Sequence, residues 1–410
     1  MKIKDALKVK KLLKRFGLHP SLKKVLEWFE CGDIVRKNLL SLEELDYVKI
    51  EYLIHCEVIY DINLLKSEHY LEDLKIISCA PSDTIASYLR CLATDVASLN
   101  SKYHHKDMIC LCICEDNDIV EYLYYLARNK NSLFNKNNHI YDMHLISSTK
   151  SLKIAGYLVE LGSSEESLKN EFHRENMELI AGAKTDSIAL YIKEASLNCF
   201  HIQNKDYEKN IRLISNAKTE TIAKHLSSLV CNEDFDDSTY YKQDLELVAN
   251  AKSDVIAECL VNLALSTESI SSLYHTDDMN LIANAASDEI AKYLLLAASD
   301  GDSLTSLYHN DDMELIANAK SDQIAMVLAN CACSEKSINS GNHAKEMKLI
   351  AESKYDDEAL CYGLLSCSED EECYNEYIKY VDSMVKNKEV VKNRVKPRKV
   401  VKKQDNYLHK

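Results

Sequence analysis

Histidine recurs at one position of a repeated sequence pattern, where it could bind a metal ion or carry protons. The members of this column are His104, His139, His173, His275, His309 and His343. Neighbouring units of a packed helical array lie roughly 10 Å apart, whereas zinc requires its ligands at about 2.1 Å. The column therefore predicts no metal site. We expect each histidine to pack against an aromatic side chain and to fix the loop into the next helix; a pH-responsive array is the alternative.

Asparagine forms a second column, Asn216, Asn250, Asn284 and Asn318, flanked at the same position by Gly182 and Glu352. Glu246 and Glu314 stand four residues before two of its members, so both columns share a helix face. One interpretation is a partner-binding surface, comprising the four asparagines and these two glutamates, that hydrogen-bonds the backbone of an extended peptide. The other, which the position near a helix end favours, is that the amides satisfy local backbone groups.

Other arrangements that could do chemistry are missing from the sequence. No Ser/His/Asp set, carboxylate pair or Cys/His pair stands out, and acidic residues recur where helix N-termini favour them. Neither G-x-x-x-x-G-K-[ST] nor G-x-G-x-x-G is present, and the 15 cysteines include no C-x-x-C pair. We therefore predict no catalytic residue, no cofactor and no metal. Cysteine used as a small buried hydrophobe indicates a reducing, cytoplasmic compartment.

The elements that carry these columns repeat along the chain. The first apolar residue of each unit recurs every 34 or 35 residues through nine units, at Leu74, Met108, Met143, Met177, Ile211, Leu245, Met279, Met313 and Met347. With only 8 Gly and 3 Pro in 410 residues, the chain lacks the turn residues that a β-sandwich or barrel requires. The pattern predicts a tandem array over residues 69–380.

One unit contains the signals of a helical hairpin. Met279, Leu281, Ile282 and Ala285 predict the buried stripe of a first helix, and Ser287-Asp288 opens a second. The second helix carries apolar residues at i, i+4, i+7 and i+8, and an alanine recurs directly after its first isoleucine. The i, i+4, i+7, i+8 set is Ile290, Leu294, Ala297 and Ala298, and the alanine column is Ala86, Ala155, Ala189, Ala223, Ala257, Ala291 and Ala325.

A two-helix unit cannot bury its own apolar face, so its neighbours must stack on it. The chain thus resembles the α-solenoid class of tetratricopeptide, HEAT and armadillo arrays, with the 34-residue length of tetratricopeptide and TAL-effector repeats. The W-x-x-L-G-x-x-Y signature and the Gly-Gly loop of those two families are missing, so no functional residue carries over. The expected fold is all-α, a right-handed-type α-solenoid of about nine repeats with atypical end caps.

The two ends of the chain differ from its middle. Residues 1–24 and 386–410 carry +8 each, which leaves −31 for residues 25–385 in a chain of net charge −15. We expect residues 1–68 to form a helical cap with a degenerate repeat that includes Ile50, Tyr52, Leu53 and Leu64. Ile3, Leu7, Leu13 and Phe16 lie among lysines and suit an end cap, or alternatively a membrane-surface or partner-binding helix.

The basic residues 381–410 are expected to form a disordered tail. Its candidate contacts with nucleic acid or an anionic surface are Lys396, Arg398, Lys399, Lys402 and Lys403. No signal-peptide core or apolar stretch of transmembrane length is present.

The sequence favours a cytoplasmic, non-enzymatic scaffold that binds a protein or peptide partner of basic character. A body this acidic repels phosphate backbones. The alternative is a nucleic-acid-associated helical-repeat protein that uses its basic termini.

The repeat length predicts an elongated molecule. Nine units at roughly 10 Å each would extend over about 90 Å, whereas a compact chain of this length has a radius of gyration near ~22 Å. Small-angle X-ray scattering should give a radius of gyration well above the compact value, and a value near it would contradict the solenoid.

Overall fold

The computed structural model describes residues 2–45, 59, 61–135, 137–236 and 238–366. Every regular element in these ranges is a helix and none is a strand, which confirms the all-α prediction. The chain divides into two compact units between Glu233 and Asp234, inside the predicted array. Ile50, Tyr52 and Leu53 of the expected degenerate repeat, and the whole expected tail 381–410, lie outside the described residues.

The first unit opens with helices that precede the regular repeats: Lys2–Arg15, Leu22–Glu30, Asp33–Ser41, the 3-10 turn Leu42–Glu44, and Ile62–Leu65. Ala6, Val9 and Leu13 are buried where the first of these helices packs on the second. The buried Asn38 amide donates to the carbonyls of Leu65 and Ser67, at 3.0 and 2.7 Å. This bond ties the opening segment to the chain that enters the first repeat.

The repeats of the first unit consist of a first helix, a second helix and a short third helix. The first helices are Tyr70–Ile77, His104–Ile113, His139–Ser148, His173–Ala181 and Tyr207–Asn216. The second helices are Asp83–Ala93, Ile119–Leu126, Leu152–Ser163, Asp186–Leu197 and Glu220–Val230, and the short helices are Val96–Leu99, Lys130–Phe134, Glu165–Lys169 and Cys199–Ile202. First helices pack on first helices of the next repeat and second helices on second helices, which gives two layers.

The second unit repeats this arrangement after a short helix at the division, Glu233–Asp236. Its first helices are Tyr241–Asn250, His275–Asn284, His309–Ala317 and His343–Glu352. Its second helices are Asp254–Ala264, Asp288–Ala298, Asp322–Ala332 and Asp356–Ser366, and its short helices are Thr267–Ile270, Gly301–Thr305 and Glu335–Ile338. The same two layers form, because each helix contacts its counterpart in the next repeat as well as its own hairpin partner.

The buried faces follow the apolar pattern of the sequence. In the unit around residue 290, the four predicted positions of the second helix are buried, and the alanine column is buried in every repeat where it was predicted. Met279 and Ile282 of the first helix are also buried, but Leu281 is only half-buried. The stripe of the first helix is therefore narrower than predicted, and the small alanine side chains let neighbouring helices approach closely.

A serine caps five of the described second helices, and in four of these it has a second hydrogen bond, to an aspartate of the next repeat. Ser287 Oγ accepts from the backbone N–H of Ile290 at 3.1 Å, which caps the helix, and donates to the Asp322 carboxylate of the next repeat at 2.6 Å. The same bond between repeats joins Ser151 to Asp186, Ser253 to Asp288 and Ser321 to Asp356. Each of these four caps is thus also a link to the following repeat.

Lysines at the end of the first helices form a second link. Lys252 donates to the carbonyl of Asn284 and Lys320 to that of Glu352, both at 3.1 Å. A lysine close to the end of a helix favourably offsets the negative end of that helix. In the structure their ammonium groups reach the last carbonyls of the first helix in the next repeat.

Removal of one such cap should destabilise the second unit. Ser287→Ala deletes both the cap and the bond to Asp322, so we expect about 1–2 kcal/mol off the free energy of unfolding. Ser299→Ala is the matched control, because Ser299 is exposed at the other end of the same hairpin helix, and it should change stability by less than about 0.5 kcal/mol. Urea denaturation followed by circular dichroism measures both; equal effects would contradict the double role of Ser287.

Candidate functional site

The histidine column lies inside the protein, and each histidine contacts a serine and an aspartate. In the second unit, His275 has Ser269 Oγ 2.8 Å from Nδ1 and Asp244 Oδ2 3.0 Å from Nε2. The serine belongs to the short helix before the histidine, and the aspartate belongs to the first helix of the preceding repeat. The six sets are Ser98–His104–Asp73, Ser132–His139–Asp107, Ser167–His173–Asp142, Ser269–His275–Asp244, Ser303–His309–Asp278 and Ser337–His343–Asp312.

These sets correct two sequence-based interpretations. Ser, His and Asp do come together, although no such set stood out in the sequence. The aspartates were also explained by the helix N-terminus alone, whereas Asp278 accepts a bond from His309 of the next repeat at 3.1 Å. A signal was present: Ser-x5-His-x2-Asp recurs with the repeat, as in Ser303, His309 and Asp312. The bonds join His and Asp 31 or 32 residues apart, which a search within one unit does not reveal.

The sets have the residue types of a hydrolase triad but not its accessibility. The serine, histidine and aspartate side chains are all buried, so no substrate reaches the serine hydroxyl. The contacts are also exchanged relative to the serine hydrolase arrangement, because here the carboxylate faces Nε2 and the hydroxyl faces Nδ1. With Nε2–H donating to the carboxylate, a neutral imidazole accepts from the serine hydroxyl at Nδ1. The arrangement can hold helices together.

Aromatic contacts accompany the histidines, as predicted, but they join neighbouring repeats. Tyr274 packs against His309 with ring centroids 4.7 Å apart, and Tyr308 packs against His343 at 4.9 Å. For five of the six histidines, the ring that stacks on the imidazole comes from the preceding repeat, and not from the position directly before that histidine. The loop that leads into each first helix is therefore fixed by ring stacking as well as by hydrogen bonds.

In the first unit, one repeat replaces the whole set. Asn176 takes the aspartate position and Tyr207 the histidine position, and the Asn176 amide donates to the Tyr207 hydroxyl at 2.6 Å. His201 stands at the serine position and packs against Tyr207 with centroids 4.7 Å apart. Its Nδ1–H donates to the Ala195 carbonyl, and its Nε2 accepts from the Asn210 amide. The replacement is a neutral network in the same buried place.

Burial changes the acidity of the aspartates. Loss of water raises the pKa of Asp107, Asp244 and Asp278 above the usual 3.8, and the hydrogen bond and charge of the facing histidine offset only part of this rise. One oxygen each of Asp107 and Asp244 is buried without a hydrogen-bond partner among the described residues. These carboxylates are costly to ionise, so their protons are held more tightly in the folded protein than in the unfolded chain.

One cysteine also lies next to a histidine in the first unit. Cys110 Sγ is 3.7 Å from Nδ1 of His144. Burial, with a smaller contribution from Asp107, raises the pKa of the Cys110 thiol to about 12. The thiolate that a nucleophile requires is therefore strongly disfavoured, and the contact is a packing contact.

The asparagine column lies at the surface. In the second unit Asn250, Asn284 and Asn318 are exposed, and each amide donates to the backbone carbonyl four residues earlier at 2.8 to 2.9 Å. Glu246 and Glu314 are exposed on the same helices. Asn216 is exposed in the first unit. The structure thus combines the solvent exposure of one interpretation with the local backbone bond of the other.

Comparison with known proteins gives no family. No family model matches the sequence, and no curated protein is significantly similar to it. In the described ranges no helix is both long and apolar enough to cross a membrane, and no cluster of His, Cys, Asp and Glu suits a metal ion. Lys396, Arg398, Lys399, Lys402 and Lys403 of the predicted basic contact lie outside those ranges.

The raised pKa of Asp278 predicts how pH affects stability. A carboxyl whose pKa is higher in the folded protein adds stability below its unfolded pKa, and this stability is lost as pH rises through the folded pKa. The variant Asp278→Asn lacks this ionisable carboxyl, so its stability does not vary with the ionisation of residue 278. The unfolding free energy of the native protein minus that of Asp278→Asn should therefore fall between pH about 4 and pH about 8.

Urea denaturation at each pH measures this difference. Asp302→Asn is the control, because Asp302 is an exposed carboxylate in the same unit, and its difference should stay flat. A difference for Asp278→Asn that grows with pH would mean that the ionised carboxylate stabilises the fold, and would contradict the prediction.

Proposed function

We propose that the protein is a non-enzymatic scaffold that binds a protein or peptide of basic character. In this proposal its nine 34-residue repeats form an α-solenoid of the right-handed type, and the first helices of the second unit carry the binding surface. The buried cysteines, such as Cys259 and Cys331, suit a reducing, cytoplasmic compartment.

The observation that carries the proposal is a periodic polar face. At one position of three successive first helices, an exposed asparagine recurs: Asn250, Asn284 and Asn318. The residue before each asparagine is an alanine, whose short side chain leaves room for a peptide chain beside the asparagine. Core positions repeat because packing requires it, but an exposed amide is under no such requirement, and the amides of Asn284 and Asn318 bond a carbonyl of their own helix.

The spacing of the column suits an extended peptide. Adjacent repeats are separated by roughly 10 Å, and an extended chain rises about 3.3 Å per residue, so one asparagine would meet every third peptide residue. An asparagine amide has two donors and an acceptor oxygen, and the bond to the helix carbonyl uses one donor. The exposed Glu246 and Glu314 carboxylates add negative charge beside the column, which favours basic side chains.

The proposal includes no catalysis, because the side chains of the types that enzymes use for catalysis make packing contacts here. The serines of the Ser–His–Asp sets are buried, and the Cys110 thiol has a pKa raised to about 12. Nucleic-acid binding through the basic termini remains the alternative prediction, and it depends on residues 386–410, which lie outside the described ranges.

Truncation of two asparagines tests the surface directly. Asn250→Ala with Asn284→Ala should weaken binding of Lys/Arg-rich peptides, selected from a random displayed library on the native protein, by about tenfold or more. The melting temperature should change little, because the carbonyl that each amide bonds lies in an exposed helix turn. Fluorescence polarisation gives the affinity and circular dichroism the melting curve.

Asn262→Ala with Asn330→Ala is the matched control. Both residues are exposed, but they lie on second helices of the same unit. Equal loss of affinity in the two double variants would show that any surface asparagine matters. A lowered melting temperature with intact binding in Asn250→Ala/Asn284→Ala would end the proposal and leave the column a local structural feature.

A further inference from the structure

The first helix of the chain has two different faces. Ala6, Val9, Leu12 and Leu13 are buried on one side of Lys2–Arg15, where it packs on Leu22–Glu30 and Asp33–Ser41. Ile3 and Leu7, one turn apart on the opposite side, are 63% and 51% exposed. The sequence grouped Ile3 and Leu7 with Leu13 as apolar residues of an end cap. The structure separates them, because only Leu13 contributes to the packing face.

Basic side chains surround the two exposed aliphatic residues. Lys4, Lys10, Lys11, Lys14 and Arg15 are exposed on the same side of the helix. Asp5, the only acidic residue of the helix, is directed away from this face and pairs with Arg36.

Few of these basic groups are neutralised by the protein. Lys8 pairs with Glu43 at 2.6 Å. Lys4, Lys10, Lys11 and Lys14 have no ion pair within the described part of the chain. The solvent face of the helix is therefore strongly cationic and contains a small apolar centre.

We propose that this face, Ile3, Lys4, Leu7, Lys10, Lys11 and Lys14, docks on the surface of an anionic lipid bilayer. A helix lying in the bilayer interface inserts its apolar side chains at the headgroup boundary while its lysines contact anionic headgroups. Here the helix is already folded and held by its opposite face, so no ordering cost accompanies docking. The binding is peripheral and reversible.

The apolar centre favours a bilayer over a nucleic acid as the occupant. Phosphate contacts of nucleic acids require only basic and polar side chains, and they give Ile3 and Leu7 no partner. Two leucines of the second unit are exposed without a cationic surround: Leu273 and Leu307 are 96% and 98% exposed, and their neighbours in sequence are Ser, Thr, Tyr and His. These two leucines therefore provide a matched control.

Vesicle sedimentation with the full chain tests the proposal. Phosphatidylcholine vesicles with about 30% phosphatidylserine should bind the protein, pure phosphatidylcholine vesicles should not, and the binding should weaken between about 0.1 M and about 0.5 M salt. Lys4→Glu with Lys11→Glu, and separately Ile3→Gln with Leu7→Gln, should each reduce the bound fraction at least about fivefold. Leu273→Gln with Leu307→Gln should leave it unchanged. All four changed lysines and aliphatics are exposed, and unchanged circular dichroism verifies that each variant is folded.

Three results would overturn the proposal. The first is no binding to the anionic vesicles. The second is binding that neither helix variant reduces, which would place the contact elsewhere, for example in the basic residues 386–410. The third is a labelled single-stranded oligonucleotide that binds more tightly than the vesicles and depends on Lys4 and Lys11 but not on Ile3 and Leu7, which would identify the face as a nucleic-acid site.

Discussion

A buried imidazole, held between a serine and an aspartate of the preceding repeat, is the contact on which the rest of the repeat structure depends. Helices of nine to twelve residues, such as His173–Ala181 and Asp186–Leu197, are marginal by themselves and acquire stability from packing. Apolar packing tolerates small shifts, but a buried hydrogen-bonding group does not, since loss of its partner costs about 1–3 kcal/mol. The His–Asp bond therefore fixes the register with which one repeat sits on the next.

Two other kinds of hydrogen bond also link neighbouring repeats. The serine caps join the starts of second helices, as Ser287 joins Asp322, and the lysines join the ends of first helices, as Lys320 joins Glu352. Together with the buried Ser–His–Asp sets, these hydrogen bonds occupy polar groups at both ends of the helical hairpins. The exposed side chains of Glu314, Asn284 and Asn318 on the first helices take no part in these three kinds of link between repeats.

The sequence predicted the helices and their apolar faces because both depend on short spacings. Ser287-Asp288 predicts the start of a helix, and the spacing of Ile290, Leu294 and Ala298 predicts its buried face. Both predictions are confirmed. The Ser–His–Asp sets were missed for a physical reason, since their members come from two repeats and meet only after stacking. Leu281 was mispredicted for another reason. The apolar stripe predicts it as buried, but the narrow contact face of a ten-residue helix leaves it half-buried.

The repeat around Tyr207 shows that the buried sets act as units and do not depend on ionisation. Three positions change together there, with His201 for serine, Tyr207 for histidine and Asn176 for aspartate. In this repeat the link carries no carboxyl, and the Asn176 amide donates to the Tyr207 hydroxyl at 2.6 Å. A buried hydrogen bond between neighbouring repeats is thus the common requirement, and the charge of the aspartate is not. At Asp107, Asp244 and Asp278 the raised pKa of the carboxyl couples repeat stacking to pH; where Asn176 replaces the aspartate, no carboxyl is present to titrate and the link remains.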